Sequence, residues 1–200
     1  MQNQMLGRYL DLDDFCTCTQ TYGKYRDYIY PYPQNVEETI PALRALCHQL
    51  LDPIIDHFGK ERFQLTYGFC SKDLKRFLSQ KDPETGIKNG RVDPSRDQHM
   101  AHEVNRNGKY YCDRLGAACD FRIVDLESDR LVEWILEQRL PFDSLYFYSS
   151  DRPIHISYGM QHKQEIWTFT PEGMPTKKGM ANLIKLVDQY NRGSQSYLMF

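Results

Sequence analysis

The sequence predicts an α+β domain, an antiparallel sheet with helices packed on it. Three observations carry this. A long stretch of helical periodicity precedes the first strand-like segment, the other β-type segments cluster late in the chain, and turn formers crowd the connections. The order is helix, strand, helix, long loop, strand, helix, strands, helix. Late clustering of strands favours a sheet covered by helices on one face over a regular βαβ alternation.

The elements follow in chain order. Residues 1–34 read as an irregular, Tyr-rich arm packed on the body through its rings, because Pro31 and Pro33 interrupt regular structure. Asn35 is a helix cap, and Glu37 and Glu38 suit a first turn. Ile40, Leu43, Leu46, Cys47, Leu50, Leu51, Ile54, Ile55 and Phe58 then recur at helical spacing. Pro53 should bend or split this helix, and Gly59 should stop it. In residues 62–69, Phe63, Leu65, Tyr67 and Phe69 alternate with mostly polar residues, a strand pattern. Ser71 caps a short helix through Leu74, Phe77 and Leu78. Residues 81–97 form a loop rich in Asp-Pro, Thr-Gly and Asn-Gly steps, and 99–105 suit a helical turn. Residues 116–124 are a strand of small and apolar residues. Ser128 opens an amphipathic helix through Leu131, Val132, Ile135 and Leu136. Residues 142–148, 154–158 and 165–170 are strands. Gly173, Pro175 and Gly179 break the chain before a last amphipathic helix ending near Tyr190. The organisation is thus an arm over 1–34, a domain over 35–170 and a helical extension over 171–200, with no internal repeat or low-complexity segment.

The chain has 200 residues, 40% hydrophobic and 26% charged, enough to bury one core and still dissolve. Its 25 basic and 27 acidic residues are interspersed, which argues against nucleic acid as a main partner. No window approaches the roughly 20 apolar residues that span a bilayer, and no signal-peptide pattern is visible near Met1. A cytoplasmic protein with no membrane partner is therefore expected, with its six cysteines as reduced thiols. Cys16-Thr17-Cys18 would place two thiols on one side of an extended segment, too close for a metal knuckle. Fourteen Tyr and ten Phe suggest a groove lined by rings or ordinary core and strand positions.

Two segments carry chemistry. Leu115-Gly116-Ala117-Ala118-Cys119-Asp120-Phe121 sets an acid among small and apolar residues, where an unpaired charge costs several kcal/mol. A metal ion is one partner that removes this cost. Pro153-Ile154-His155-Ile156-Ser157 sets an imidazole mid-strand between two Ile, where one nitrogen can ligate and the other can be oriented.

In that order, these segments resemble the zinc D-Ala-D-Ala carboxypeptidase/dipeptidase family, whose fold is shared with the hedgehog signalling domain. Leu51-Asp52-Pro53-Ile54 matches the family's helix, Gln64-Leu65-Thr66-Tyr67-Gly68-Phe69-Cys70-Ser71 its early strand and turn, Gly116-x-Ala118-x-Asp120 its metal motif, and Arg152-Pro153-Ile154-His155 its final strand. The resemblance spans residues 35–160 and implies a zinc-dependent hydrolase of amide or peptide bonds, acting on a small or terminally accessible peptide. It assigns Asp120 and His155 as zinc ligands. The third is preferentially His99: Asp97-Gln98-His99 then stands for the family's Ser-x-His with an insertion of about fourteen residues after it, and a Gln-His pair before the Gly-Ala motif also occurs in the family. The ungapped match would put Asp113 there, and His102 and Cys112 are further candidates. The family's catalytic Glu falls on Arg152, and its turn Arg on Cys70. Asp151 or Glu103 would then carry the proton, and Arg152 would bind a carboxylate or phosphate. Because the family Glu and Arg are replaced, a non-catalytic binding module on the same fold, with or without metal, is the alternative.

Overall fold

The computed structural model describes residues 4–90, 93–170 and 175–178; the expected helix ending near Tyr190 lies outside them. Six strands form one sheet: β1 Phe63–Tyr67, β2 Ala117–Ile123, β3 Ser144–Phe147, β4 Ile154–Tyr158, β5 Glu165–Phe169 and β6 Pro175–Lys178. Their spatial order is β1-β2-β4-β3-β5-β6, antiparallel throughout except for the parallel pair β3/β5. The expected α+β class with helices on a mostly antiparallel sheet is what forms.

The core follows from period-two alternation. Ala117, Cys119, Phe121 and Ile123 of β2, Leu145 of β3, Ile154 and Ile156 of β4 and Ile166 of β5 all turn to one face. Against that face pack α3 (Val36–Leu46), α4 (Asp52–Phe58) and α6 (Ser128–Glu137), through Ile40, Leu43, Leu46, Ile54, Ile55, Leu131, Val132 and Ile135. Each such side chain is worth about 1.5–3 kcal/mol when fully buried. A π-helical turn, Cys47–Leu51, joins α3 to α4, with the Asp52 N–H donating to the Cys47 carbonyl. Pro53 has no N–H to offer, and its ring would crowd the carbonyl four residues back. The wider turn absorbs that conflict, so the helix neither breaks nor splits. Gly59, at φ 94°, ends it.

Three expectations are corrected. Residues 1–34 are not irregular: they hold α1 (Leu12–Thr17) and α2 (Gln20–Tyr25), each with a side-chain cap. Pro31 and Pro33 act only on the segment after these helices. The arm is anchored by Leu6, Leu10, Leu12 and Phe15, all in the main core, whereas Tyr28 and Tyr30 are exposed. Cys16 lies within α1 and Cys18 caps its end, so the two thiols do not share one side of a strand. All six cysteines are free. Further on, Pro175 opens an edge strand rather than breaking the chain, a position proline tolerates. Helix α5 (Lys72–Ser79) begins as expected, with the Ser71 hydroxyl accepting from the Leu74 N–H. No helix of the described residues is long and apolar enough to cross a membrane.

Candidate metal centre

The alternation that buries Cys119 and Phe121 turns Asp120 to the opposite face of the sheet. In the same way Ile154 and Ile156 turn His155 there. Asp120 and His155 are direct cross-strand partners in the β2/β4 ladder. The Nδ1 of His155 lies 2.8 Å from Oδ1 of Asp120.

His99 reaches the same oxygen from a loop, its Nε2 3.3 Å from Asp120 Oδ1. Several constraints hold it there. Its Nδ1 sits 2.7 Å from the Gly68 carbonyl, and its own carbonyl accepts from the Cys70 N–H at 3.0 Å. The preceding residue, Gln98, has a left-handed φ of 55°, and its side-chain amide donates to the carbonyl of Leu115, also left-handed at φ 55°. Tyr67 lies edge-on to the His99 ring, centroids 4.5 Å apart. Gly68 is required where it is, because a Cβ would collide with the Phe15 carbonyl of α1. Gly116, at φ 84°, lets the chain turn into β2 against the Tyr158 carbonyl.

The electrostatics follow from this convergence. Burial works against charge on Asp120, but the two imidazoles outweigh it and hold the carboxyl well below its ordinary range. Burial likewise opposes charge on His99, yet the Asp120 carboxylate prevails and raises its pKa. For His155, burial and the charge of His99 outweigh Asp120, and its pKa is lowered. One proton, on His99, therefore suits the metal-free cluster.

The donors fit a cation. With Nδ1 of His99 donating to Gly68, its Nε2 presents a lone pair to a carboxylate oxygen unless a proton or metal stands between them. The Nε2 of His155 is buried without a hydrogen-bond partner, so a proton kept there while Nδ1 ligates would be an unpaired buried donor. Candidate ligand atoms of all three residues lie within 4.8 Å of one another. A tetrahedral zinc with bonds near 2.0–2.1 Å spaces its ligands by about 3.3 Å; the His99–Asp120 separation of 3.3 Å matches this, and the 2.8 Å Asp120–His155 contact would have to open to admit the ion. The His99 and His155 side chains are 3% and 1% exposed and that of Asp120 is 26%, so the centre opens on its carboxylate side.

The other candidates have other engagements. Glu103 is fully buried; its Oε1 accepts from the N–H groups of Gln34 (2.7 Å) and Asn35 (3.1 Å), and its Oε2 pairs with Lys72 Nζ at 3.4 Å. His102 bridges Glu38 (3.3 Å) and the Gly116 N–H (3.2 Å). The Cys112 thiol faces the Ser95 carbonyl, and Asp113 is exposed. Asp151 accepts from the Ser149 hydroxyl at 2.6 Å in the exposed turn between β3 and β4, and Arg152 stands over the Tyr148 ring at 5.3 Å. The residues not singled out from sequence are Gly68, Gln98 and Tyr146, whose ring stacks on His155 at 4.4 Å. Alternation along β3 places Tyr146 on this face; Gln98 is marked only through the Gln-His pair of the resemblance, and nothing local in the sequence marks the Gly68 carbonyl.

No protein-family model, curated protein or solved structure matches this chain.

Proposed function

We propose that the chain is a zinc-dependent hydrolase of amide or peptide bonds, built on a hedgehog/DD-peptidase-like fold, with His99, Asp120 and His155 as the metal ligands. The observation that carries this reading is the meeting of two imidazole nitrogens on one Asp120 oxygen, at 2.8 and 3.3 Å, with both histidine side chains buried and the carboxylate partly exposed. Zinc in such a set supplies Lewis acidity toward a carbonyl and a water acidified to near neutral pH. The chain's own groups do the rest. The Gly68 carbonyl fixes the His99 tautomer, and the β2/β4 ladder fixes the angle between Asp120 and His155. The partly exposed edge of Asp120 marks where a substrate enters. Asp151, in the turn before β4, is the candidate to move a proton. Arg152 beside it offers a planar fork to an anionic substrate group.

Two observations favour a second reading, a non-catalytic module that holds metal and ligand without turnover. The Glu103 carboxylate is locked by Gln34, Asn35 and Lys72. The Asp151 carboxyl is held below its ordinary range by the Ser149 hydroxyl and the backbone, which weakens it as a base. The test is to titrate the full chain with zinc and other divalent cations, then assay the loaded protein on a panel of dipeptides and N-acyl amides. Stoichiometric zinc with chelator-sensitive hydrolysis is expected. Zinc without turnover favours the module, and a chain that takes up no divalent cation refutes both metal-dependent readings.

A further inference from the structure

The cluster is one end of a longer row. Asp120 pairs with His155, His155 with Tyr146, and Tyr146 with Trp167, across four neighbouring strands in the order β2, β4, β3, β5. All four therefore stand on the face opposite the helices. Strands are spaced about 4.8 Å apart, so the row leads straight from the acid to the indole. Just past the end of β3, Tyr148 continues the series against Phe169. The rings are in contact: Tyr146 lies on His155 at 4.4 Å, Phe169 meets Tyr146 at 5.8 Å and Tyr148 at 4.6 Å. The exposed Arg152 guanidinium closes the series over Tyr148 at 5.3 Å.

We propose that this wall is a specificity subsite, and that the ligand of the centre is an aryl or similarly flat apolar acyl group bearing an acid at its far end. The inference rests on the metal reading above and names its substrate class. The physical grounds are continuity and charge. The wall begins on a ligand of the cluster, so a carbonyl held there leaves its acyl group against Tyr146 and Phe169. Ring faces of this kind favour stacked or edge-on aromatic partners. A guanidinium seated on the last ring offers a bidentate contact to a carboxylate. Asp151, Asp97, Glu165 and Asp120 are the carboxylates around the row. Asp151 is engaged with Ser149, Asp97 accepts from the N–H groups of Asp93 and His99, Glu165 shares the face of Trp167, and Asp120 belongs to the cluster. Two guanidiniums flank the row: Arg114 lies against Tyr146 and donates to the Ser144 hydroxyl, and Arg152 is the cation at the far end, over Tyr148.

The test uses the full chain at measured zinc occupancy and three hydroxamates as probes: acetohydroxamate, benzohydroxamate and 4-carboxybenzohydroxamate, titrated calorimetrically. The phenyl compound should bind about tenfold tighter than the methyl compound. The para-carboxylate should add a further two- to fivefold, roughly the worth of an exposed ion pair, and lose it in high salt. Arg152→Gln should remove only the carboxylate gain, and Tyr148→Leu with Phe169→Leu the phenyl gain, each with zinc occupancy unchanged. Equal affinities for phenyl and methyl probes at full occupancy, or gains that survive these variants, overturn the subsite while the metal centre stands. If the chain takes up no zinc, the metal reading fails, and the wall is judged by saturation-transfer NMR with naphthalene-2-carboxylate. Absence of binding there, or binding unaffected by Arg152→Gln, overturns it.

Discussion

Replacing Asp120 with Asn separates charge from shape at the centre. The amide keeps the size of the side chain and its place opposite His155 in the β2/β4 ladder. It removes the anion on which His99 Nε2 and His155 Nδ1 converge. Loss of a group that merely orients a ligand costs about 10–100-fold in metal affinity, so loss of a ligand itself should cost at least about 100-fold. With free zinc at about 100 times the wild-type Kd, binding stabilises the fold by about 2.7 kcal/mol. For a chain of this size 1 kcal/mol moves Tm by about 2–4 °C, which predicts a zinc-dependent rise of about 5–11 °C. At the same free zinc, a variant binding 100-fold more weakly gains only about 0.4 kcal/mol, a shift of about 1 °C. Differential scanning fluorimetry of both proteins, with zinc buffered and with chelator, reads the difference directly. A variant that keeps the full zinc-dependent rise would show that Asp120 is no ligand and that the metal reading is wrong.

Three further outcomes are expected. His99→Ala should abolish stoichiometric zinc uptake, measured by elemental analysis, whereas Asp113→Asn at its exposed position should leave it intact; the opposite pattern would restore the ungapped assignment. Gly68→Ala should destabilise the chain by about 1–3 kcal/mol in urea, since the new methyl meets the Phe15 carbonyl, and should weaken zinc binding by shifting the carbonyl that orients His99; unchanged urea and zinc titrations would contradict the positioning role. In metal-free protein, stability should peak near pH 6.5. Below that value the lowered pKa of His155 means the unfolded chain binds more protons, so stability rises with pH. Above it the stabilisation from the raised pKa of His99 is lost as pH climbs through its folded value. The depressed Asp120 carboxyl adds stability that is present above about pH 3.9 and lost as pH falls through its folded value. Urea midpoints between about pH 5 and 8 test the dome; a steady rise across that range would mean His99 is not the protonated member.

Local periodicity and capping set the elements and the facing of the two candidate ligands on strands. Alternation in β2 and β4 settles which side chains enter the core. Because Asp120 and His155 sit out of phase with Cys119, Phe121, Ile154 and Ile156, they had to share the other face once those strands paired. The Ser71 cap and the Gly59 stop are equally local, since each needs only a neighbouring N–H or a positive φ. Tertiary structure decided the rest. Pro53 was accommodated by a π turn because packing of Leu50, Leu51, Ile54 and Ile55 kept the helix on the sheet. Helices α1 and α2 are too short to announce themselves by periodicity; Leu12 and Phe15 hold α1 by entering a core built from distant residues. The resemblance already favoured His99, but its convergence on Asp120, which His102 and Cys112 do not share, depended on partners far along the chain. The Gly68 carbonyl, the Leu115 carbonyl gripped by Gln98, and the Glu38–His102–Gly116 bridge are contacts between segments that only the folded chain brings together. A loop ligand has no period to read, so its place follows from what the fold leaves within reach.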